Sequence, residues 1–110
     1  MGPARPMNLA VFDIDGTLTR PYGGEIPGAA AFLATVRAAQ DWSVAIATGN
    51  FQSMAELKLA RGKIPWQGVP IATADDSISR ADLIRIATSR ASEQYGIGAF
   101  SRMATPHSSL

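Results

Sequence analysis

Leu9-Ala10-Val11-Phe12-Asp13-Ile14-Asp15-Gly16-Thr17 sets the reading of this chain, because an unbroken apolar run ends in two carboxylates one residue apart. An apolar run bounded by an Asp-Gly turn signal predicts a buried strand over residues 8–14. Successive side chains of a strand point to opposite faces, so Asp13 and Asp15 leave on one side while Ile14 returns to the core. Gly16 then permits a sharp exit and a close approach of a ligand to the backbone. Two carboxylates held this close repel unless a cation lies between them or one keeps a proton. An oxygen-only pair suits a hard ion such as magnesium, which commonly leans on one or two carboxylates plus waters and substrate phosphates. The plainer alternative is an Asp-Gly turn in which both carboxylates only accept from turn amides.

Working outward, a second apolar run, Ser43-Val44-Ala45-Ile46-Ala47, ends in Thr48-Gly49-Asn50 and leads into a helical pattern over 51–61 with Met54 and Leu57 inward. Unpaired amides and the positive dipole end make a helix entrance a natural phosphate seat, with the Thr48 hydroxyl as an added donor. Thr48 also reads as an ordinary helix cap. Pro27 suits the first turn of a helix running to about Gln40, with Phe32, Leu33 and Val36 as its apolar stripe. A strand over 69–73 and a helix over 80–94 complete the pass, and Trp42 and Trp66 read as core or rim packing. Strands separated by helices predict an α/β fold with a parallel sheet, in which ligands sit outside the carboxyl ends of the strands. Both polar clusters fall there.

Phe12-Asp13-Ile14-Asp15-Gly16-Thr17-Leu18-Thr19 and Ala47-Thr48-Gly49-Asn50 resemble the first and second motifs of the haloacid dehalogenase-like hydrolase superfamily, most of whose members are magnesium-dependent phosphatases. The resemblance covers residues 8–98 and implies a three-layer Rossmann-like parallel sheet with helices on both faces. It implies Asp13 as nucleophile, Asp15 as acid/base, both as ligands of Mg2+, and Thr48, Gly49 and Asn50 around the phosphoryl group of a phosphorylated small molecule. For the basic third motif the choice is Arg80, because Ser79 with Asp82 resembles a capping box that puts Arg80 in a first helical turn. Lys58 and Lys63 are competitors, each read as a solvated helix or loop residue. The intervals from Asp15 to Thr48 and from Thr48 to Arg80 leave no room for a large cap domain, although Arg20-Pro21-Tyr22-Gly23-Gly24 suits a mobile flap.

The family's fourth motif, a later strand followed by acidic residues, has no match. After Asp82 the acidic residue is Glu93, and the stretch from Ser101 to Leu110 reads as Ser/Thr/Pro coil. The chain therefore reads as stopping, or changing frame, before the last part of the site, with a partial core at 8–98, a flexible lead-in at 1–7 and a polar tail at 99–110. Asp75 and Asp76 read as a helix cap and dipole partner rather than substitute metal ligands. The expected activity is phosphate monoester hydrolysis through an aspartyl-phosphate on Asp13, weak or lost; the alternative is a non-catalytic remnant that binds phosphate or a partner chain. Without later strands, strand 8–14 becomes an exposed edge, which predicts a homodimer or aggregation.

Composition bounds the remaining readings. At 110 residues the chain buries roughly 65 per cent of its unfolded surface, enough for a modest core. A net charge of +1 with no basic block argues against nucleic acid as a partner. The absence of cysteine removes disulfides, thiolate catalysis and soft-metal sites. No stretch has the roughly 18 apolar residues of a membrane span and the N-terminus lacks a signal-peptide core, so the expected location is cytoplasmic. His107, alone in the polar tail, receives no role.

Overall fold

In a computed structural model that describes residues 7–106, the chain is an α/β protein with four parallel strands and three helices. Residues 1–6 of the expected lead-in, and His107, lie outside the described residues. In order the elements are β1 (Asn8–Phe12), α1 (Ala29–Ala38), β2 (Trp42–Ala47), α2 (Gln52–Arg61), β3 (Ile71–Ala72), α3 (Arg80–Tyr95) and β4 (Met103–Ala104). The sheet runs β3-β2-β1-β4. β1 and β2 pair along their length, from Asn8 opposite Trp42 to Phe12 opposite Ile46.

Both central strands are buried on both faces, as the uninterrupted apolar runs require. Ala10, Phe12, Val44 and Ile46 share one cluster with Leu33 of α1 and with Ala55 and Leu59 of α2. Leu9, Val11, Ala45 and Ala47 share the other with Leu83, Ala87 and Ala91 of α3. The α3 residues recur every four positions, which lines them along one stripe. The small Ala87 and Ala91 share that cluster with Ala45 and Ala47 of β2 and Ala72 of β3. Trp42 and Trp66 pack on the first cluster while only partly buried.

Several expected elements differ in extent. The first strand ends at Phe12, two residues early, and Gly16 turns the chain at φ 77°. The helix expected from Pro27 begins at Ala29, after Gly28 at φ 83°, and the strand expected over 69–73 keeps only Ile71 and Ala72. In α1, Leu33 is buried as expected and Val36 packs at the cluster's rim. Phe32 stays half exposed, with its ring set edge-on to Phe12, centroids 5.8 Å apart.

The phase of α2 is a correction. Met54 and Leu57, expected inward, are 46% and 43% exposed, and Ala55 and Leu59 face the sheet instead. At about 100° per residue Leu57 lies nearly opposite Ala55. Ala55 also lets the helix axis approach more closely than Met54 would.

The second correction concerns the tail. Residues 103 and 104, read as coil, form β4 beside β1, with Met103 opposite Leu9 and Ala104 opposite Ala10. The Leu9 N–H donates to the Arg102 carbonyl at 2.9 Å, and the Ser101 N–H donates to the Met7 carbonyl at 2.8 Å. β1 is therefore flanked on both sides over Leu9 and Ala10, rather than forming the edge. Backbone pairing needs no apolar run; it needs a segment whose amides match the unpaired groups of β1.

Candidate functional site at the carboxyl ends of β1 and β2

Asp13 and Asp15 follow β1, and Thr48, Gly49 and Asn50 follow β2, so parallel pairing delivers both clusters to one end of the sheet. A connected network forms around Asp15. The Asn50 side-chain amide donates to Asp15 Oδ2 at 3.1 Å and to Thr48 Oγ1 at 2.9 Å. Lys58 Nζ donates to Asp15 Oδ1 at 2.8 Å and to Asn50 Oδ1 at 3.1 Å. Both acceptor oxygens of Asp15 and both ends of the Asn50 amide are thereby engaged. Thr48 is fully buried, and its hydroxyl oxygen also accepts from the Asn50 N–H at 3.1 Å.

Asp13 forms a second, separate group. Its Oδ1 accepts from the Ile14 N–H at 2.8 Å, and its Oδ2 accepts from Arg80 Nη1 at 3.2 Å. Arg80 stands in the first turn of α3, where Ser79 caps the helix by accepting from the Asp82 N–H. The predicted capping geometry thus carries Arg80 to the strand end from 67 residues away in sequence. Neighbouring carboxylates are each matched with a cation from a different helix: Asp13 with Arg80 of α3, Asp15 with Lys58 of α2.

Lys58, a competitor for the basic third motif that reads from sequence as a solvated helix residue, instead joins the network around Asp15. Its side chain is only 13% exposed. It lies two turns beyond the α2 entrance, but Cα–Cβ bonds tilt toward a helix N-terminus, so its stem runs back to the strand ends. The available signal was its position between Leu57 and Leu59 in the apolar half of α2. Lys63 is exposed and paired with Glu25 at 3.0 Å.

The α2 entrance is partly occupied by the chain itself. Phe51, not Thr48, is the capping position, and the Gln52 N–H donates to Asp75 Oδ2 at 2.8 Å. Asp75 therefore caps α2, across from the helix it precedes. Asp76 accepts from both terminal nitrogens of Arg90 at 2.8 Å and from the Thr73 N–H at 3.0 Å. The guanidinium, with that backbone bond, holds the Asp76 carboxyl down at about 2 against an ordinary 3.8. Burial pushes the Tyr95 phenol up, with its O–H donating to the Val44 carbonyl at 2.8 Å.

The stretch expected as a flap is a turn tied at its base. The Arg20 N–H donates to the Gly24 carbonyl at 2.9 Å, and the Gly23 N–H donates to the Arg20 carbonyl at 2.8 Å. As donors, Asp13 and Asp15 are hard oxygen ligands of the kind that magnesium takes in ones and twos. Among the described residues no group of three or more His, Cys, Asp or Glu side chains converges on a common point. No described helix is long and apolar enough to cross a membrane. Compared with protein-family models, with curated proteins and with solved structures, the chain finds no match in any of the three.

Proposed function

We propose that the chain is a haloacid dehalogenase-like phosphohydrolase, built on a three-layer Rossmann-like core, that cleaves phosphate monoesters through an aspartyl-phosphate on Asp13. The observation that carries this reading is the pairing of two strand-end carboxylates with two separate cations, Asp13 with Arg80 and Asp15 with Lys58. Asp13 attacks phosphorus: a bond forms to its carboxylate oxygen as the ester P–O bond breaks, and Asp15 delivers a proton to the departing oxygen. Water then attacks the same phosphorus, Asp15 accepts its proton, and the bond to Asp13 breaks to release inorganic phosphate.

Positioning falls to the other residues. Asn50 and Lys58 fix the Asp15 carboxylate through its two oxygens. Thr48 accepts two hydrogen bonds and keeps its own proton for a phosphoryl oxygen. Arg80 offsets charge where an anionic nucleophile meets an anionic substrate. Magnesium held by Asp13 and Asp15 with waters would supply further neutralisation of that charge.

A second reading, phosphate binding without turnover, draws support from Asp75 and Asp76, whose carboxylates are committed to the α2 entrance and to Arg90. The two readings separate in one assay. Hydrolysis of a chromogenic phosphate ester is measured with magnesium or EDTA, for the chain and for Asp13→Asn. Turnover that needs both magnesium and Asp13 is the expected outcome. Turnover no greater than that of the variant, together with a higher melting temperature in inorganic phosphate, would transfer the conclusion to the binding reading.

A further inference from the structure

Beside the strand ends lies a cavity of about 390 Å³ lined by Pro21, Tyr22, Asn50, Met54, Leu57, Lys58 and Arg61. Two of these, Asn50 and Lys58, belong to the network around Asp15, so the cavity borders the Asp15 side of the proposed phosphate seat. Apart from Arg61, its other walls are apolar surface that the core does not use. Tyr22 is 94% exposed at the tip of the turn after β1, and Met54 and Leu57 stand outward because Ala55 and Leu59 take the inward positions of α2. The lining holds two cations and no acidic residue. The stem of Arg61 packs near Gly23 of the turn, where an added Cβ would stand 3.4 Å from its Cδ. Arg61 makes no ion pair among the described residues.

We propose that this cavity is the subsite for the non-phosphate part of the substrate, and that it selects phosphomonoesters bearing a planar aromatic ring. The inference rests on the phosphate reading of the strand ends and adds the class of substrate to it. The volume lies near the lower end of small-ligand pockets, which run from about 300 to 1,000 Å³, and matches one ring system rather than an extended chain. Tyr22 offers a ring face, Met54 a polarisable thioether and Leu57 an aliphatic flank, and Arg61 adds a guanidinium that stacks on aromatic faces. Lys58 is paired with Asp15, so Arg61 is the lining cation without an ion pair among the described residues, and its charge favours an anionic ester over a neutral or cationic one.

The test uses Asp13→Asn, so that binding is read without hydrolysis, and compares phenyl phosphate, methyl phosphate and inorganic phosphate by calorimetry and by amide chemical shifts. Phenyl phosphate is expected to bind about tenfold more tightly than methyl phosphate and to shift the amides of Tyr22, Met54 and Leu57. Adding Tyr22→Ala and Leu57→Ala, both at exposed positions, is expected to erase the preference and leave inorganic phosphate binding unchanged. Equal affinity for the phenyl and methyl esters, with inorganic phosphate still bound, would overturn the subsite alone. Binding of none of the three would overturn the phosphate reading, and the subsite with it.

Discussion

Lys58 ties two side chains of the candidate site together, since its ammonium reaches both Asp15 and Asn50. Replacing it by methionine keeps the stem that packs along α2 and removes the charge and the donors. Under the proposed hydrolysis Lys58 orients the Asp15 carboxylate, and groups that orient such a residue are commonly worth about 10 to 100-fold, so Lys58→Met is expected to lower kcat on a chromogenic ester by that range. Stability should fall by less than about 1 kcal/mol, because the pair is half solvated on its Asp15 side, 42% exposed. A kinetic assay beside urea denaturation checks both. An unchanged kcat would remove Lys58 from the site. Arg80 lends itself to the same comparison but with a smaller expected loss, as its guanidinium stands largely in solvent.

Among the elements, α3 does two separate jobs: its first turn supplies Arg80, and its third turn anchors the loop after β3. Arg90 grips both oxygens of Asp76 and also donates to the Ile71 carbonyl at 2.8 Å. The same loop carries Asp75 to the start of α2, so the pair fixes one side of the site entrance. Because the folded Asp76 carboxyl is depressed to about 2 from 3.8, its contribution to stability is complete above the ordinary value. It is lost as pH falls through 3.8 toward 2. Arg90 is 45% exposed, and with solvent screening the contribution is on the order of 1 kcal/mol. The stability difference between the chain and Asp76→Asn should therefore be largest near pH 6, and most of it should be lost by about pH 2. A difference of equal size at both values would show that the ion pair is not its source.

At the scale of the whole molecule, the sheet is closed on one side by two residues of β4. β4 and β3 are the edges, and both are very short, which limits edge-to-edge pairing. Deleting residues 101–110 would free the Leu9 N–H and turn β1 into an apolar edge of the kind the sequence reading anticipated. Sedimentation is expected to show association of the shortened chain rising with concentration beyond that of the intact chain. Equal behaviour of the two would mean that β4 does not shield β1.

Much of this arrangement is local chemistry and was legible as such. The apolar runs of β1 and β2, the placing of Asp13 and Asp15 between the end of β1 and the turn at Gly16, and the Ser79 cap that sets Arg80 in a first turn each depend on a few adjacent residues. Strand alternation and turn conformation act over that same range, so the sequence by itself determined the parallel α/β core and the end of the sheet where its carboxylates emerge. Only the tertiary structure decided the phase of α2, the inward reach of Lys58, the capping of that helix by Asp75 and the pairing of Met103 and Ala104 with β1. Each of these is a contact between segments far apart in sequence, whose free energy depends on which backbone groups and small side chains meet after the chain has packed, and no local pattern encodes that meeting.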